Sequence, residues 1–145
     1  MGQVTATVDS IIAAAPDEVL AALSDYVDVR PAILPDSYSA YDVLENGVGD
    51  GTVATWRLQA TKKRVRHVVA DVAVADRTVM ETDRNSTMVT TFTVAPDSEG
   101  SKVTVTTSWQ GAGGIGGFFE RTFAPVGLGR IHAELLANLA ARLGG

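Results

Sequence analysis

Arg66 is the polar residue whose placement most suggests chemistry. It continues the parity of Val68, Ala70, Val72 and Val74 in the run from Arg64 to Val74, so by the two-residue strand period it stands at the edge of their apolar face. A guanidinium there would hold a ligand carboxylate or polarise a carbonyl toward an enolate, as an aldol-type cyclisation requires. The alternative is a solvated arginine near a hairpin. Trp56 shares parity with Ala54 and Leu58, and Trp109 with Val105 and Thr107. Each indole is either a flat cavity wall with one N–H donor, suited to an aromatic or polycyclic ligand, or a packing residue of the core. Phe92 lies on the inner set Met88, Thr90, Phe92 and Val94. Phe118, Phe119, Thr122 and Phe123 recur at helical spacing as an opposing wall or a core stripe. Tyr38 and Tyr41 offer a phenolic donor, and strand alternation lets at most one of them look inward.

Other chemistries find little support. His67 and His132 are the two histidines of the chain. His67 falls opposite Arg66, on the outer face, and His132 falls within an apolar helical stripe as a half-buried histidine; two distant histidines without further ligands give no metal site. With no cysteine, thiolate nucleophiles, disulfides and Cys-based metal centres are excluded. No nucleophile–base–acid pattern and no Gly-x-Ser-x-Gly elbow is present, so the catalytic residues are not identified. The run Gly111-Ala112-Gly113-Gly114-Ile115-Gly116-Gly117 lacks the Lys-Ser/Thr and strand context of a phosphate loop and reads as a hinge, and no cofactor is expected.

Charge and hydropathy narrow the partners. A net charge of -5 argues against nucleic acid, which needs a broad basic footprint. Arg57, Lys62, Lys63, Arg64 and Arg66 do concentrate five of the twelve basic residues, as a solvated hairpin tip would. No stretch is long and apolar enough for a bilayer span, and the first residues lack the pattern of a leader, so a cytoplasmic protein is expected. The 145 residues, 46% hydrophobic and 20% charged, fit one domain, 1–145.

The elements that must position these side chains follow from periodicity. Val4 to Ile12 alternates as a strand. Pro16-Asp17-Glu18 opens a short helix with a first-turn proline and two carboxylates at its positive end, closing near Asp25. Asp28 to Leu34, with Pro31 near its start and Pro35 just beyond its end, is expected to form a second. From Tyr38 onward six strands are separated by turn sequences such as Glu45-Asn46-Gly47, Ala75-Asp76-Arg77 and Pro96-Asp97-Ser98-Glu99-Gly100. The C-terminal segment carries two apolar stripes out of phase, one through Phe118, Phe119 and Phe123 and the other through Leu128, Ile131, Leu135, Leu139 and Leu143. A bend is therefore predicted at Pro125, Gly127 and Gly129.

This order, together with Ile12-Ala13-Ala14-Ala15-Pro16-Asp17-Glu18-Val19, the following Ser24-Asp25, and Gly47-Val48-Gly49-Asp50-Gly51-Thr52, resembles the START-like, or SRPBCC, superfamily over the whole chain. It is most similar to the bacterial polyketide cyclase/dehydrase-like branch. The resemblance implies the α+β helix-grip fold: a seven-stranded bent antiparallel sheet around a long C-terminal helix, with two short helices after the first strand. It also implies a cavity for a small hydrophobic partner such as a lipid, sterol, aromatic polyketide, quinone or plant hormone. Members include carriers and enzymes, and no catalytic residue carries over, because the superfamily has no invariant catalytic motif. Binding or carriage is the first expectation, a cyclase/dehydratase-type enzyme the second, and a protein-interaction module the third. Oligomeric state is left open.

Overall fold

A computed structural model of the chain describes residues 3–61, 64–110 and 125–144. Strand β1 (Gln3–Ile12) runs into helix α1 (Pro16–Leu23), a short helix α2 (Arg30–Ile33), and then β2 (Tyr38–Glu45), β3 (Val53–Thr61), β4 (Arg64–Ala75), β5 (Thr78–Asp83), β6 (Val89–Asp97) and β7 (Gly100–Gln110). The final helix, α3, spans Pro125–Gly144. All neighbouring strands are antiparallel in the order β1-β7-β6-β5-β4-β3-β2, so the first strand closes beside the last and the remainder is a meander of hairpins. This is the helix-grip α+β architecture that the sequence led us to expect.

Local chemistry explains the elements. Pro16 occupies the first turn of α1, with Asp17 and Glu18 beside the helix N-terminus, while Val19, Ala22 and Leu23 are buried. Ser24 ends the helix, its hydroxyl donating to the Leu20 carbonyl at 2.8 Å. Asp76 and Arg77, at φ 50° and 60°, form the two-residue turn between β4 and β5. Gly100 has φ +134°, and a Cβ there would lie 2.4 Å from the Ile12 carbonyl oxygen, so β7 begins pressed against the exit of β1 in a way only glycine permits. The Ser101 hydroxyl then donates to the Ala14 carbonyl at 2.7 Å.

Alternation assigns the inner face as expected. Val103, Val105, Thr107 and Trp109 are buried on β7, Met88, Thr90, Phe92 and Val94 on and just before β6, and Ala54, Trp56 and Leu58 on β3. Helix α3 covers this face with Leu128, Leu135, Leu136 and Leu139, all at most 2% exposed. It lies close to β1, where a Cβ at Gly129 would sit 3.5 Å from Val8, and it is tied to α2 by Asn138 Nδ2 donating to the Ile33 carbonyl at 3.0 Å. The second apolar stripe of the C-terminal segment thus packs inward. The first stripe and the glycine run 111–117 lie outside the described residues, as does the segment before Pro125 against which a bend there would be measured; from Pro125 onward α3 is a single helix that runs through Gly127 and Gly129.

Candidate functional site

Between the sheet and α3 lies a cavity of about 20 Å³. Its apolar wall is Trp56 and Leu58 from β3, Phe92 from β6, Met88 just before it, Leu34 at the end of α2, and Leu128 of α3. Its polar lining is Arg30, Tyr38, Glu81, Thr90, Thr107 and His132.

The glycine-rich loop after β2 helps place the charged end. Tyr26 N–H donates to the Gly47 carbonyl and Gly49 N–H to the Ser24 carbonyl, each at 2.9 Å, so the loop is laced to the link between α1 and α2. A Cβ at Gly47 would meet Val27 at 2.7 Å, and its φ of +136° also demands glycine. The link thereby turns Tyr26 and Arg30 inward. Arg30 Nη1 donates to Glu81 Oε2, which also accepts from the Tyr26 hydroxyl at 2.5 Å; Arg30 Nη2 donates to the Leu23 carbonyl at 2.7 Å. The guanidinium carbon lies 4.4 Å from the Tyr26 ring centroid and 4.9 Å from that of Phe92, a cation–π arrangement on both sides. Burial opposes the arginine charge, but the Tyr26 and Glu81 oxygens against it outweigh that effect, and its pKa lies above the ordinary value. Arg30 Nε is buried and has no hydrogen-bond partner among the described residues.

The rest of the polar lining is neutral, and it adjoins the charged pair, since Thr90 is the cross-strand partner of Glu81. His132 Nε2 lies 2.7 Å from Thr107 Oγ1, which lies 2.8 Å from Thr90 Oγ1, so one imidazole and two hydroxyls form a buried chain from helix to sheet. Burial pushes the His132 pKa down to about 4, which leaves the ring uncharged at neutral pH. Its Nδ1 is buried and without a partner among the described residues.

Trp56 forms part of the apolar wall. Its ring meets Tyr38 at 6.0 Å, tilted by 56°, and stacks on Tyr41 at 6.1 Å and 16°. Both tyrosines therefore turn inward, contrary to the alternation rule. Ala40 takes a left-handed φ of 52° and the β2–β3 register shifts between Ser39 and Asp42, so a bulge restores Tyr41 to the side of Tyr38. Tyr41 donates to the Tyr26 carbonyl at 2.6 Å, and burial raises the pKa of both phenols, which stay protonated.

Of the residues singled out in the sequence, Trp56 and Phe92 line the cavity. Trp109 is 1% exposed within the core and is not part of the lining. Arg66 pairs with Leu58 across β3 and β4 but stands half-buried outside the lining; burial lowers its pKa while Asp83 pulls it up. Phe118, Phe119, Thr122 and Phe123 lie outside the described residues. His67 is on the outer face, 3.0 Å from Thr55 Oγ1. His132 is more deeply buried than expected, at 3% exposure. Sequence reasoning missed Arg30 and Glu81 altogether. The one available signal for Arg30 was its place as the lone charge in Val29-Arg30-Pro31-Ala32-Ile33-Leu34. Glu81 is hidden by the parity of β5, where Val79, Glu81 and Asp83 point inward and Met80 outward.

Among the described residues no three His, Asp or Glu side chains are grouped to hold a metal ion, and no helix is long and apolar enough to cross a membrane. A sheet gripping one long helix over a cavity of mixed apolar and polar lining defines the class: a helix-grip protein. More particularly, residues 1–144 match the family of polyketide cyclase/dehydrase and lipid transport proteins, and the chain belongs to that family. It is 58% identical to the KanY protein, whose solution structure superimposes with a TM-score of 0.92 over 100% of both chains. The fold is shared with ginseng major latex-like protein 151 from Panax ginseng, at 14% identity, 97% coverage of each chain and a TM-score of 0.75. It is also shared with a protein from Chromobacterium violaceum, at 19% identity, 97% and 98% coverage and a TM-score of 0.70. No curated protein matches the sequence.

Proposed function

We propose that this chain, acting as one domain in the cytoplasm, binds and carries a small hydrophobic or aromatic molecule of polyketide or lipid type between the sheet and α3. The observation that carries the reading is the combination of an apolar wall, built by Trp56, Leu58, Met88, Phe92 and Leu128, with buried Arg30, Glu81 and His132. A region serving only as core gains nothing from such groups, because burying polar atoms is costly and two of theirs have no partner among the described residues. Ligand sites combine apolar walls with a few placed polar groups in this way. The present volume admits about one water-sized group, so a larger ligand enters by displacing wall side chains. Met88, unbranched and flexible, is the side chain best suited to yield. Native mass spectrometry of freshly purified protein, set beside its denatured mass, tests this. A co-purifying species of small-molecule size supports the reading, and a protein that neither retains nor takes up any apolar molecule contradicts it.

Convergence of Arg30, Tyr38, Glu81 and His132 on one cavity favours a second reading, a cyclase/dehydratase-type enzyme. In it, neutral His132 takes a proton from a carbon next to a carbonyl while Tyr38 or Arg30 steadies the oxygen that gains charge; the enolate then forms a carbon–carbon double bond as its β C–O bond breaks, and the hydroxyl leaves as water with the proton that His132 returns. The same spectra separate the two. A carrier releases the molecule it bound, whereas a dehydratase releases one lighter by a water.

A further inference from the structure

The charge balance of the cavity specifies its ligand more closely than its shape does. This step rests on the binding reading. The titratable groups in the described lining are Arg30, Tyr38, Glu81 and His132. Arg30 and Glu81, 2% and 7% exposed, are joined to each other, so together they bring no net charge. Tyr38 stays protonated and His132 uncharged, both because they are buried. A carboxylate entering this space would be a buried anion facing an arginine already engaged by Glu81, and an ammonium would find a carboxylate already engaged by Arg30 and Tyr26. Two buried polar atoms of lining residues nevertheless lack partners among the described residues: Arg30 Nε–H, a donor, and His132 Nδ1, a donor or acceptor according to tautomer.

We propose that the cavity selects an uncharged apolar molecule bearing a ketone or hydroxyl oxygen, which engages Arg30 Nε–H or His132 Nδ1, and that it discriminates against the corresponding carboxylate. A carbonyl oxygen accepts from Arg30, and a hydroxyl can serve either atom. Glu81 is the residue that sets this selectivity, because it neutralises the arginine. The carboxylate clamp suggested by Arg66 in the sequence is thus replaced by a neutral-oxygen site around Arg30.

Three probes of closely similar shape test the assignment: 2-acetylnaphthalene, 2-isopropenylnaphthalene and 2-naphthoate, titrated into the intact protein and followed through the Trp56 indole resonance. The ketone binds roughly tenfold more tightly than the hydrocarbon, the gain expected of a hydrogen bond from a charged donor, and at least about tenfold more tightly than the carboxylate. Glu81→Gln, which keeps an acceptor for Tyr26 but releases the Arg30 charge, moves the preference toward the carboxylate by about tenfold or more. Equal affinity for ketone and hydrocarbon, a wild-type preference for the carboxylate, or an unchanged ranking in a folded Glu81→Gln protein overturns the neutral-oxygen site while binding itself stands. Binding of none of the three overturns the binding reading and the proposal with it. The wild-type ranking is decisive even if Glu81→Gln does not fold, and far-UV circular dichroism tells which case holds.

Discussion

His132 should make the protein acid-labile by an amount that can be worked out in advance. In the unfolded chain its imidazole titrates near 6.5; in the folded protein burial between α3 and the sheet pulls that value down to about 4. Between those values the unfolded state binds a proton that the native state refuses, so stability falls as pH falls through this window and the His132 contribution is fully present only above about pH 6.5. Linkage gives a loss from this one group of about 1.2 kcal/mol at pH 5.5 and about 2.5 kcal/mol at pH 4.5, relative to pH 7. Urea denaturation of the wild type and of His132→Gln at these three pH values isolates the effect, because carboxylates titrating elsewhere are common to both proteins. Glutamine stays neutral and can still reach the Thr107 hydroxyl. The variant should be less stable at neutral pH but should lose about 2.5 kcal/mol less on going to pH 4.5. Parallel stability curves for the two proteins would refute the assignment of His132 as a buried neutral imidazole.

Other substitutions have distinct signatures. Arg30→Met strands the Glu81 carboxylate and should cost about 3–5 kcal/mol in chemical denaturation, whereas Arg30→Met with Glu81→Met should recover most of it; a double loss equal to the sum of the two single losses would show that the pair is not coupled. Trp109→Ala, deep in the core, should lower stability by about 3–5 kcal/mol and leave ligand affinity of the folded fraction within about twofold, while Trp56→Ala should weaken binding directly. Gly100→Ala, with φ +134° and backbone in the way, should lose more than about 2 kcal/mol. Gly49→Ala, at φ +77° with open space around it, should lose about 1 kcal/mol, and thermal unfolding of the two variants checks the order.

The fold was legible because its signals are periodic. Alternation along Val103–Trp109 and Met88–Val94, the Pro16-Asp17-Glu18 helix start, and the Leu128–Leu139 stripe each place a buried face without knowledge of the rest of the molecule. Trp56 and Phe92 were legible as inward residues for the same reason. The charged half of the site was not, because it depends on contacts that run across the sequence. Arg30 and Glu81 are fifty-one positions apart and meet only after the Gly47 loop turns the α1–α2 link inward. A lone arginine in an apolar segment looks like a surface residue until its partner is known. Tyr41 escaped alternation because a single left-handed residue, Ala40, breaks the period.

A small apolar molecule bound in the space under α3 would have a methionine methyl group as its reporter. The chain has three methionines, Met1, Met80 and Met88. Met88 lines the cavity, while Met80, 40% exposed, faces outward on β5. A spectrum of the protein labelled with ¹³C at its methionine methyl groups, recorded while 2-acetylnaphthalene is added, is therefore the most direct measurement. Occupation of the cavity should shift the Met88 methyl together with the Trp56 indole and leave Met80 in place. Movement of Met80 with Met88 and Trp56 unchanged would put the molecule on the outer face and contradict the account.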